Sequence, residues 1–136
     1  MTSVERFEDL DVWKRAKMLA NLVYDLSTRG NFARDFGLRD QMQRAAVSVM
    51  SNIAEGFESR TQARFIEYLG HAKASAGELR AQSYLALDRK YISQDQFQEL
   101  HNMATVCSKQ IAKLSEYLQS RPNAQRIREG EATYEV

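Results

Sequence analysis

One proline, one cysteine and six glycines in 136 residues give this chain few places to break its backbone. It also has no alternating Val/Ile/Thr segments from which strands form, so the composition points to an all-α domain. The single Cys107 has no partner for an internal disulfide. No apolar run is long enough to cross a bilayer and no signal-peptide pattern follows Met1, so a cytoplasmic protein without membrane association is expected. A formal net charge of +1 with 27% charged residues excludes a uniformly basic coat, and any nucleic-acid site has to come from local placement. There is no Gly-rich phosphate loop, no Gly-x-Ser-x-Gly and no His-Glu-x-x-His.

What the chain does have is helical periodicity, over a length that makes one domain with a core of its own. Val12, Ala16, Leu19, Val23 and Leu26 repeat with a four-three alternation, widened by Trp13, Ala20 and Leu22, and predict a helix over about 10–29. A second helix follows over 36–57, capped by Asp35 and broken by Gly56. The third, over 62–90 after Thr61, has the seam Phe65, Leu69, Ala72, Ala76, Leu79, Ser83 and Ala86. The fourth, over 94–120, opens with the capping box Ser93–Gln96 and keeps Phe97, Leu100, Ala104, Cys107, Ile111, Leu114 and Leu118 in register until Pro122 stops it. These elements predict an antiparallel up-down-up-down four-helix bundle over 1–120, with a short arm at 1–9. Residues 121–136 are too polar to pack and are expected to form a flexible tail.

Two helices hold more apolar surface than four rods can hide. From Ala45 to Ala54 the second helix carries no charge, and Ala46, Val47, Met50, Ile53 and Ala54 fall off its Leu38/Met42/Ala45/Val49 seam, so burial on every side is expected. On the third helix a second line, Gly70, Ala74, Gly77, Ala81 and Tyr84, allows another helix to come close. Met50 and this line predict an oligomer contact between copies of the chain.

Polar residues among these apolar ones must find partners. Ser48, Asn52 and Glu55 on the second helix, with Ser75 and Glu78 on the third, read best as a hydrogen-bonded network that fixes helix register or subunit geometry. The competing reading makes Glu55 and Glu78 a carboxylate pair for acid–base work, but no nucleophile or metal ligand accompanies them. His71 and His101 lack the Glu-x-x-His context of a di-iron bundle, and His101 lies roughly 240° around its helix from Cys107, so no dyad forms there. No enzyme activity, cofactor or metal is expected.

The up-down topology gathers Lys14, Arg15, Lys17, Arg60, Arg64 and Arg121 at one pole, with Arg126 and Arg128 of the tail. Such a cluster can hold phosphates. Glu8, Asp9, Asp11, Glu55, Glu58 and Glu116 fall at the same pole, so a mixed solvated surface is the alternative, unless a ring multiplies a modest patch.

Three stretches together, Phe7-Glu8-Asp9-Leu10-Asp11-Val12-Trp13 with Ala16, then Phe36-Gly37-Leu38, then Gln43 to Phe57 with its Ser-Asn-Ile-Ala-Glu-Gly run, resemble the four-helix-bundle proteins encoded in intervening sequences of bacterial 23S rRNA genes. The third helix adds Phe65, Leu69, Ala72, Ser75, Glu78 and Leu79, and the resemblance spans about Phe7 to Ser120. It implies a homopentameric ring, similar in shape to the accessory protein of diversity-generating retroelements, which binds a reverse transcriptase and nucleic acid. The chain departs from that pattern at Met50, where proline is frequent, at Ala74, where glycine is frequent, and at Asn31-Phe32-Ala33-Arg34, which lacks a common proline. The expected function is therefore a non-enzymatic homo-oligomer that binds structured RNA or DNA, or a ribonucleoprotein such as a reverse transcriptase complex. A protein-interaction scaffold without nucleic-acid contact is the alternative.

Overall fold

The computed structural model describes residues 4–121. Among them are four α-helices and no strand: α1 Asp11–Ser27, α2 Phe36–Glu58, α3 Gln62–Asp88 and α4 Gln94–Ser120. Short 3-10 turns at Phe7–Asp9 and Phe32–Arg34 precede α1 and α2. The expected tail from residue 122 onward, with Pro122, Arg126 and Arg128, lies outside the described residues.

Local chemistry sets each boundary. The Asp35 carboxylate accepts the Leu38 amide at 3.1 Å, the Thr61 hydroxyl accepts the Arg64 amide at 3.1 Å, and Ser93 and Gln96 form a reciprocal capping box. These side chains satisfy amides that a helix start leaves unpaired. Two ends fall short of the periodicity. α1 stops at Ser27, where Thr28 turns its backbone amide and its hydroxyl onto the Tyr24 carbonyl, and Gly30 follows at φ +54°. α3 stops at Asp88, because Lys90 adopts φ +61° and the Tyr91 amide reaches back to the Ala86 carbonyl at 2.9 Å.

Contacts between helix ends give their directions. Gln43 near the start of α2 donates to Ser27 at the end of α1, at 2.8 Å. Tyr91 beyond α3 donates to Asp35 ahead of α2, at 2.9 Å. Gln62 at the start of α3 donates to the Leu118 and Arg121 carbonyls at the end of α4, at 2.5 and 2.6 Å. Consecutive helices therefore run antiparallel, and α4 closes the bundle against α1.

The buried sides of α3 and α4 are the seams read from the sequence, Phe65 to Ala86 and Phe97 to Leu118. Each large aliphatic side chain on them contributes about 1.5–3 kcal/mol by leaving water. Ser83 sits inside this core without penalty, since its hydroxyl donates to the Arg80 carbonyl at 2.6 Å. At Gly56 α2 comes so close to α3 that an added Cβ would lie 2.8 Å from both Phe65 Cδ1 and Tyr68 Cβ. The segment before α1 belongs to the same core: Val4 and Leu10 are buried and Phe7 meets Trp13 edge-on at 5.1 Å.

Within the chain α2 is not covered all round. Its inner side is Leu38, Met42, Ala45, Ala46, Val49, Ile53 and Gly56, while Val47 is 37% exposed and Ser51 and Ala54 are half-buried.

Candidate nucleic-acid interface

The turn from α2 to α3 ends with Thr61 capping α3, which points Gln62 across to the last carbonyls of α4. Those two hydrogen bonds bring Arg60 and Arg64, both exposed, to the end of the bundle where Arg121 begins the exit of the chain. The Arg121 guanidinium lies over the Tyr117 ring, 5.2 Å from its centroid. Glu55, Glu58 and Glu116 are exposed at the same end. Nearby, Arg6 and Asp9 form an ion pair at 3.2 Å, and that hydrogen bond holds the Asp9 carboxyl below the usual range.

Of the α1 cations, Arg15 lies along the side of the bundle. Lys14, Arg15 and Lys17 are exposed, but Arg15 lines a groove with Met18, Asn102, Met103 and Val106. Val106 is roughly 22 Å of helix from Arg121. Lys17 rests over the Trp13 ring at 5.8 Å. Arg15 thus belongs to a groove on the side of the bundle, while Arg60, Arg64 and Arg121 form the end group and Lys14 stands one turn into α1.

The polar residues between α2 and α3 divide as well. Ser48 Oγ and Ser75 Oγ meet at 2.8 Å, and Asn52 Nδ2 donates to the Ser48 hydroxyl at 2.9 Å and to the Ser48 carbonyl at 2.8 Å. Ser48 Oγ thus accepts from Asn52 and also meets Ser75 Oγ, a pair in which either hydroxyl can donate. Glu55 and Glu78 are exposed and make no hydrogen bond to this chain of donors.

Among the described residues no group of His, Cys, Asp and Glu is arranged to hold a metal ion. His101 stands between Tyr84 and Phe97, with ring centroids 5.7 and 5.4 Å away, and His71 meets the edge of Tyr68. Cys107 is fully buried, and burial pushes its thiol up to about 12. Nor is any helix of the described residues long and apolar enough to cross a membrane.

The line Gly70, Ala74, Gly77, Ala81 and Tyr84 faces outward, on the side of α3 opposite its core seam. Nothing lies within 4 Å of a Cβ built on Gly70 or Gly77, so among the described residues no other helix uses the groove. Leu85, 50% exposed, extends the line. Met50 is half-buried against the core.

Sequence reasoning passed over the other end of the bundle. There the Thr28–Asp35 connection meets the α3–α4 turn, and Arg29, Arg34, Arg89, Lys90 and Phe36 are all exposed. The same up-down topology brings them together, and applying it to both poles would have found them.

The family model of the 23S rRNA-intervening sequence protein matches residues 8–113. A solved structure from Bacteroides thetaiotaomicron, of a protein with unknown function from the S23 ribosomal protein family, superposes with a TM-score of 0.71. It is 23% identical and covers 77% of this chain and 98% of its own, a likeness that establishes the fold. No curated protein matches the sequence.

Proposed function

The chain belongs to the 23S rRNA-intervening sequence protein family, and from that membership we propose that it acts without catalysis, as a cytoplasmic homo-oligomer that binds structured RNA or a ribonucleoprotein. The observation that carries the reading is the convergence of Arg60, Arg64 and Arg121 at one end of the bundle through Gln62. A ring of copies, a pentamer in this reading, repeats that modest group once per subunit, and phosphate contacts add along a polyanion. The outward line Gly70, Ala74, Gly77 and Ala81 supplies a shallow face for the neighbouring copy.

Filter binding of a structured RNA across a salt series tests the reading. Affinity should fall steeply with salt, and Arg60→Ala with Arg64→Ala should both weaken binding and flatten the slope. Absence of affinity at low salt, or no effect of the double substitution, removes the electrostatic reading. Ala74→Glu places a charge in the outward groove and should lower the sedimentation coefficient toward that of one subunit.

The acidic residues at the same end favour a second reading, a scaffold that presents one surface several times to a protein such as a reverse transcriptase. A pull-down that survives nuclease treatment selects it.

A further inference from the structure

We propose that the opposite end of the bundle is a separate binding surface for single-stranded nucleic acid, with Phe36 as a stacking platform and Arg29, Arg34, Arg89 and Lys90 as phosphate contacts. This goes beyond the reading above, which rests on Arg60, Arg64 and Arg121.

The end is a built surface made of two segments distant in sequence. Phe32 stacks on Tyr91 with centroids 5.4 Å apart, and the Tyr91 hydroxyl donates to Asp35 at 2.9 Å, so the α1–α2 connection and the α3–α4 turn are held together. Arg29 and Arg34 come from the first and Arg89 and Lys90 from the second; all four are exposed, and Arg89 faces Asp35, whose carboxyl it helps to hold down after Leu38 and Tyr91. The acids nearby are partly committed. Asp35 accepts from Leu38 and Tyr91, and Asp40 pairs with Arg39 at 2.9 Å, which leaves Asp25, Asp88 and Asp95 exposed.

Phe36 is the most exposed large apolar side chain of the described residues, at 64%. One face of its ring is covered by the Arg39 guanidinium, 4.7 Å from the centroid, and Arg39 is itself fixed by Asp40 and by the Ala33 carbonyl at 2.9 Å. The ring is thereby held in place with much of its area still open to solvent. An anchored aromatic beside exposed cations fits the alternating base and phosphate of a single strand, because every base offers a π-face. An acidic peptide would use the cations and leave the ring idle.

Lys90 is the second, independent observation. Its φ of +61° lies in the left-handed region at the end of α3, where glycine is the unstrained choice. What lysine adds there over glycine is a cation at the tip of the turn.

The experiment uses the full chain, with oligo-uridylate binding followed by fluorescence anisotropy across a salt series and thermal unfolding measured in parallel. Lys90→Gly should raise the unfolding midpoint by about 3 °C while reducing the slope of log affinity against log salt by about 0.7, the value of one single-strand phosphate contact. Phe36→Ala should weaken binding about tenfold with the slope unchanged. Unchanged affinity and slope in both variants overturns the proposal. If Arg60→Ala with Arg64→Ala alone abolishes binding, this surface is refuted while the reading above stands; if the unaltered protein binds no oligo-uridylate, the proposal falls whatever the structured RNA does. Poly-glutamate bound as tightly as the oligonucleotide, with no loss in Phe36→Ala, would assign the end to an acidic protein and also refute it.

Discussion

The Tyr91 hydroxyl donates to one carboxylate oxygen of Asp35 at 2.9 Å while the other accepts the Leu38 amide at 3.1 Å. One side chain thus caps α2 and ties the α3–α4 turn to it. The Leu38 amide first, then Tyr91, hold the Asp35 carboxyl below its ordinary value. A depressed native value stabilises the fold above the unfolded value of about 3.9, and that contribution is lost as pH falls through the native one. Acid unfolding of the native chain should therefore carry an Asp35 component below about pH 4. In Asp35→Asn, stability at neutral pH should fall and this part of the pH profile should flatten, as followed by circular dichroism.

Gly56 lies where α2 and α3 are closest. Gly56→Ala drives a methyl into Phe65 Cδ1 and Tyr68 Cβ, each 2.8 Å from its position. Helix propensity favours alanine, but overpacking costs about 1–3 kcal/mol, so urea denaturation should show a net loss. Gly70→Ala, with nothing within 4 Å, should instead leave the isolated subunit as stable or more so.

The Ser48–Ser75 pair offers a coupling measurement. Ser48→Ala leaves Ser75 without this partner and removes an acceptor of Asn52, a loss of about 1 kcal/mol. Ser75→Ala added to Ser48→Ala should cost less than the two separate losses summed. Strict additivity in denaturant melts would mean that the 2.8 Å contact contributes nothing.

Cys107 should be silent to thiol reagents. At pH 8 its thiol, pushed up to about 12, stays protonated, and no part of it is reached by solvent. Ellman's reagent should react at the rate of global unfolding, and adding denaturant should accelerate it in step with loss of helix.

The long, regular helices were legible because their seams are uninterrupted: every residue from Phe65 to Ala86 and from Phe97 to Leu118 assigned to the core is buried. The ends were less so. Lys90 carries no glycine to announce a left-handed turn, and Asp88-Arg89-Lys90 continues α3 by propensity, so its stop comes from tertiary packing of Tyr91 on Phe32. The site was read only halfway for a related reason. Periodicity assigns a residue to a face and topology assigns it to a pole, but neither says which way a long side chain leans, and Arg15 lines the groove with Met103 and Val106. Glu55 and Glu78 each fall three residues after a polar partner, Asn52 and Ser75, only about 60° around the helix, yet that step is enough to leave both exposed.

Because Val4 and Leu10 are inside, the stretch leading into α1 works as a stopper in the bundle. Shortening the protein thus has a threshold: trimming that passes Leu10 uncorks the end of the core near Trp13, and water gains a way in between α1 and α2.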